Sequence, residues 1–148
     1  MPITETEALI RIGVSLVLGL AIGIEREIHK HNAGVRTFSI VCVGSTLAML
    51  ISIYVCQTNT NLLNGDPGRI AAQVLTGIGF IGAGIIMKHQ DSVSGLTTAA
   101  CIFICAIIGL AVGGGMILVS VAVTVAVLVI LLSSHITKSD DFPNKKQQ

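Results

Sequence analysis

The residues of this chain able to do chemistry are few, and most stand where polarity is expensive. Gln73 and Thr76 lie inside a charge-free run from Ile70 to Met87, and Thr97 and Thr98 inside another from Ser92 to Thr137. An amide carried into apolar surroundings must be hydrogen-bonded, since an unmet bond there costs on the order of a few kcal/mol. Gln73 therefore reads either as an interhelical hydrogen bond or as a ligand for a solute. Threonine hydroxyls return bonds to the carbonyls of the preceding turn, so Thr97 and Thr98 have a structural reading beside a binding one. Charges gather at the ends of the apolar runs: Glu25 and Arg26, Arg36 next to Thr37, Asp66 and Arg69, and Lys88. Asp66-Pro67-Gly68-Arg69 reads as an N-cap with proline at the first helical position, which accounts for Asp66 without a ligand. Glu25, Arg26 and Arg36 fit either a structural clamp or a docking surface, and the residues alone leave both open.

Metal and catalytic chemistry find little here. Glu25 and Glu27 leave a helix on nearly opposite sides and cannot chelate one ion together. The pairs Glu25 with His29 and Glu27 with His31 have i,i+4 spacing, but at a helix end they read as solvated. Cys101 and Cys105 share a helical face, a spacing that suits a soft metal, yet cysteine is also a small packing residue. No phosphate-binding loop, nucleophile with its base, or dense carboxylate cluster occurs, so no enzyme, cofactor or metal site is expected, and no nucleic-acid partner.

The elements that must position these residues follow from composition. With 52% of 148 residues hydrophobic and 11% charged, the chain belongs in a lipid bilayer. The charge-free runs are Ile12 to Ile24, Thr37 to Gly65, Ile70 to Met87 and Ser92 to Thr137. The last, 46 residues long, would rise about 69 Å as one helix, more than twice a hydrocarbon core, and must turn back. Gly113-Gly114-Gly115 is the hinge. The spacing predicts an all-α membrane protein of about five transmembrane helices: Glu7 to Glu27, Thr37 to Val55, Arg69 to Met87, Val93 to Val112 and Met116 to Ile136. Arg11 must snorkel for the first helix to span.

Lysine and arginine divide seven to two between the two sides, which places the N-terminus outside and the C-terminus in the cytoplasm. One membrane domain, residues 7–136, is followed by a short polar tail, residues 137–148, that reads as disordered. In the third helix Gly77 and Gly84 lie near Gln73 in angle, while Gly79 and Gly82 point to the far side. Both faces are thin, so this helix is expected at the centre of the bundle. Gly19 with Gly23, and Gly109 with Gly113, form GxxxG pairs read as helix packing on the first and fourth helices.

Five ordered blocks carry a resemblance: Leu18 to Glu27 (LGLAIGIERE), Gly34 to Thr37 (GVRT), Asp66 to Val74 (DPGRIAAQV), Gly77 to Ile85 (GIGFIGAGI) and Gly95 to Ala100 (GLTTAA). Together they resemble the MgtC/SapB family of bacterial membrane proteins over about residues 9 to 132. Phe103 stands where the family usually carries tryptophan. The resemblance implies a multi-pass protein of the bacterial inner membrane, linked to adaptation to low magnesium and related stresses and, in pathogens, to virulence. It also implies that longer members carry a cytoplasmic ACT-like domain, which this sequence does not reach. Carried over by position, the matching residues are Glu25, Arg26, Arg36, Thr37, Asp66, Arg69, Gln73, Gly77, Gly82, Gly84, Thr97 and Thr98. Two functions follow as expectations. The first is a non-enzymatic regulator of ion or energy balance that contacts a membrane protein complex, with Glu25, Arg26 and Arg36 tuning the docking. The second is an ion or small-solute conduit lined by Gln73, Thr76, Thr97 and Thr98, which would require a homo-oligomer.

Overall fold

The structure, a computed structural model, describes residues 3–58, 65–89 and 92–138, with side chains as far as Ser133. Five helices and one small hairpin follow in chain order: α1 (Glu5–Ile28), α2 (Val35–Thr58), α3 (Gly68–Ile85), β1 (Met87–His89), β2 (Ser92–Ser94), α4 (Leu96–Gly113) and α5 (Ile117–Lys138). Helices α1 to α4 are each long and apolar enough to cross a membrane, and the apolar stretch described in α5 is Ile117–Ser133. The chain is thus helical with several candidate spans. The expected tail lies, from residue 139 onward, outside the described residues.

Local chemistry sets where each helix begins. Thr4 Oγ1 accepts from the Glu7 N–H at 3.3 Å, and Glu5 and Glu7 place acid in the first turn of α1, where the helix dipole favours it. Glu27 Oε2 accepts from the Val35 N–H at 2.8 Å, so a side chain from the end of α1 caps the start of α2. Lys30, in the left-handed region at φ 56°, turns the chain between them. Asp66 Oδ1 accepts from the Gly68 N–H at 2.8 Å, and its carbonyl accepts from the Arg69 N–H at 3.2 Å, which opens α3.

The passage from α3 to α4 differs from the expected pair of helix ends. Met87 to Ser94 contributes an antiparallel hairpin instead, with Met87 opposite Ser94, Lys88 opposite Val93 and His89 opposite Ser92. Gly95 closes it at φ 87°, and a Cβ there would lie 2.4 Å from the Ile85 carbonyl oxygen. Only glycine fits both that dihedral and that approach. The triple glycine does turn the chain between α4 and α5, with Gly115 at φ 90°.

Packing places α4, not α3, at the centre. Eleven of the 18 residues of α4 are buried, and it touches all four other helices. In α3 only Ile78 and Gly82 are buried. The expected centre is therefore the periphery: Gly77, Gly79 and Gly84 have nothing of the chain within 4 Å of where a Cβ would stand. Glycine content revealed that faces were thin without revealing which were covered. The core gathers Ile22, Phe38, Cys42, Ile102, Cys105, Ile108 and Val112 from α1, α2 and α4.

Candidate functional site

Helix α2 is wedged between α1 and α4, and glycines on both neighbours make the wedge possible. A Cβ on Gly19 would stand 2.9 Å from the Cys42 Cβ, and one on Gly23 would stand 2.6 Å from the Val35 Cα. On the opposite side a Cβ on Gly109 would lie 2.3 Å from the Cys42 carbonyl oxygen, and one on Gly113 would lie 2.7 Å from that of Thr46. Backbones this close leave no passage, and polar groups inside are met locally. Thr46 Oγ1 reaches the carbonyls of Gly109 at 2.8 Å and Cys42 at 3.0 Å, while Cys105 Sγ donates to the Phe38 carbonyl at 3.3 Å.

Buried charge sits at both ends of this wedge. One turn beyond Ile22 and Gly23, Glu25 and Arg26 are 6% and 2% exposed. The Arg26 guanidinium lies 3.7 Å from Glu25 Oε2, and His29 Nδ1 lies 3.1 Å from Glu25 Oε1 and 2.8 Å from the Glu25 carbonyl oxygen. The pair read as solvated is therefore a buried carboxylate held between a guanidinium and an imidazole. Arg26 Nε and Ser39 Oγ find no hydrogen-bond partner among the described residues. At the other end Arg11, 9% exposed, donates to the Gly113 carbonyl and pairs with Glu7. Arg11 thereby closes the C-terminal end of α4, where the dipole favours a cation. About 22 Å of helix separates the two arginines at 1.5 Å per residue; Arg11 ties α1 to the end of α4, whereas the Arg26 ion pair with Glu25 stays within α1.

The remaining candidates are dispersed. Arg36 is exposed at the start of α2 and forms no ion pair among the described residues; Thr37, next to it, is half-buried. The expected network of Glu25, Arg26 and Arg36 thus reduces to Glu25 and Arg26 joined by His29, and burial removes both from any docking surface. Asp66, Arg69 and Gln73 line a pocket of about 410 Å³ with Ser52 and Cys56 where α2 ends and α3 begins. Thr76 is exposed and its hydroxyl returns to the Ala72 carbonyl at 3.0 Å. Thr97 is exposed and Thr98 buried in the first turn of α4. Gln73 stands twelve residues, about 18 Å, before the end of α3 that adjoins that turn. Gln73, Thr97 and Thr98 therefore do not converge on one lining within the chain.

Sequence reasoning did not find the partners of Arg11 and Glu27, and passed over Thr46. A lone cation at membrane depth is the signal that should have been followed for Arg11. Glu27 and Thr46 carried none, since their partners depend on a loop path and on a helix 63 residues away. Among the described residues no group of three or more His, Cys, Asp or Glu is placed to hold a metal ion.

Several candidate spans, glycine-tight helix contacts and buried arginines at two helix ends define a multi-pass membrane protein. The chain matches the MgtC family model over residues 12–139, and it belongs to that family. It is 44% identical over 121 residues to an uncharacterized protein of Haemophilus influenzae, covering 78% of this chain and 50% of that protein. It is 40% identical over 131 residues to YhiD of Escherichia coli strain K12, which bears the name of a proposed magnesium transporter, covering 87% and 61%. SapB of Bacillus subtilis is 37% identical over 114 residues, covering 75% and 49%. The chain thus spans about half to three fifths of the length of these relatives. No solved structure gives a significant match.

Proposed function

We propose that this chain is a non-enzymatic component of ion homeostasis in the bacterial inner membrane, with its N-terminus outside, acting through contacts with other membrane proteins. The name of the YhiD relative directs the reading toward magnesium. The observation that carries it is the closed wedge: Gly109 and Gly113 bring α4 so near α2 that a Cβ on either would overlap carbonyl oxygens. A solute has no path where two backbones touch, so any influence on ion balance is exerted sideways, on neighbours in the bilayer. The Arg11 clamp between α1 and α4 and the glycine contacts of α2 fit this role, because they hold the helices of the wedge together.

The test is reconstitution into sealed vesicles loaded with magnesium-, pH- and phosphate-sensitive probes. Fluxes equal to those of empty vesicles are expected. Magnesium, proton or phosphate flux clearly above that baseline would refute the reading and favour a conduit. One observation supports that second reading: Asp66, Arg69 and Gln73 together line the pocket at the α2–α3 end, and a passage would then have to form between copies.

A further inference from the structure

The pocket of about 410 Å³ where α2 ends and α3 begins combines a fixed frame with three open side chains. Ser52, 2% exposed, donates from Oγ to the Pro67 carbonyl at 2.8 Å and so pins the start of α3 to α2. Asp66 caps that start with Oδ1, which holds its carboxylate against the pocket it lines. Arg69 and Gln73, four residues apart on one face of α3, line the same space. All three side chains are exposed. Asp66 and Arg69 bear opposite charges in one pocket, yet neither forms an ion pair among the described residues, and the Gln73 amide forms no hydrogen bond there. A cation, an anion and an amide are thus left open to one ligand.

We propose that this pocket holds a zwitterionic phospholipid headgroup, a primary ammonium joined to a phosphate diester. Each half of such a ligand meets its complement. The Arg69 guanidinium offers a fork of donors to the phosphate oxygens, and the carboxylate of Asp66 accepts from the ammonium through Oδ2. Two carbons join the ammonium to the phosphate ester, so the site needs carboxylate and guanidinium side by side. The single turn from Asp66 to Arg69, closed by the bond from the Arg69 N–H to the Asp66 carbonyl, supplies that spacing. Gln73 lies about 6 Å further along α3, toward the hydrocarbon, where the lipid's ester carbonyls give its amide N–H groups an acceptor. Val55 and Ile70 in the same lining supply apolar contact for an acyl chain. Two candidate spans end here, which is headgroup depth. A trimethylated ammonium has no N–H to give Asp66, and a purely anionic headgroup would leave Asp66 without a cation.

The inference needs only that the chain spans a bilayer, so its test is separate from flux. The whole chain in mild detergent is titrated with dihexanoyl phosphatidylethanolamine and, in parallel, with phosphatidylcholine and phosphatidylglycerol of the same chain length and with free phosphoethanolamine. Native mass spectrometry counts the molecules bound. The ethanolamine lipid is expected to bind about tenfold more tightly than the other two, the scale of one charge-assisted hydrogen bond. Arg69→Gln should weaken it by about the same factor. Asp66→Asn retains an acceptor for the Gly68 N–H, so the cap survives, and the preference should pass to the glycerol lipid. Lys88→Gln, in the hairpin beyond the far end of α3, should bind like the parent, and circular dichroism should show all three variants folded. Equal binding of the three lipids, or an unchanged preference in Asp66→Asn, would overturn the proposal. Equal losses in Arg69→Gln and Lys88→Gln would also overturn it, by reducing it to unspecific charge attraction. Free phosphoethanolamine binding as tightly as the lipid would reject the lipid as the source and leave a soluble zwitterion. Flux together with the ethanolamine preference would sink only the earlier reading, and equal lipid binding without flux only this one.

Discussion

Glycine does opposite work in two regions of this molecule. Between α1, α2 and α4 it removes side chains that would collide, with a Cβ on Gly109 or Gly23 falling within 2.3 and 2.6 Å of neighbouring backbone. On α3 it leaves empty space, and Gly77, Gly79 and Gly84 meet nothing of their own chain. The same contrast holds for polar groups. In the wedge Thr46 and Arg11 have partners on other helices, whereas Gln73, on α3, has none among the described residues. A small or polar residue at membrane depth therefore marks a close contact somewhere, but the chain's own fold meets only part of them.

The sharpest way to break this comparison is to leave a buried charge of the wedge uncompensated. Arg26 is 2% exposed beside Glu25, and truncating one member of a buried pair leaves an uncompensated charge, at about 3–5 kcal/mol. Arg26→Ala is therefore expected to give the largest loss, read by denaturant unfolding in mild micelles. Stability within about 1 kcal/mol of the parent would mean that the buried pair contributes little to the stability of the bundle. Gly109→Ala should come next, about 1–3 kcal/mol by overpacking, because the obstacle is a carbonyl oxygen rather than a movable side-chain tip. An unchanged midpoint would show that α2 and α4 separate freely.

How much of this was legible follows from the range over which each signal acts. Charge-free runs gave the five helices and the glycine hinge because span length and charge act locally along the chain. The GxxxG pairs on α1 and α4 were readable for the same reason. The hairpin at Met87 to Ser94 was not, since three-residue strands leave no period to find, and only the φ of Gly95 betrays the turn. The centre of the bundle was misplaced because angular spacing describes one helix, whereas coverage depends on which neighbours arrive. Arg11 failed similarly: its partner, Gly113, is 102 residues away. Of the site, Glu25 and Arg26 were named from sequence, but their burial and the participation of His29 became visible only when α2 and α4 were in place.

The smallest effect discriminates best between the two regions. Gly77→Ala adds a methyl group where nothing beyond the helix's own backbone lies within 4 Å, and alanine is favoured over glycine in a helix interior by roughly 0.5–1 kcal/mol. In mild micelles Gly77→Ala should therefore raise stability slightly, opposite in sign to Gly109→Ala. A destabilised Gly77→Ala protein would place Gly77 among the packed glycines and erase the distinction between α3 and the wedge.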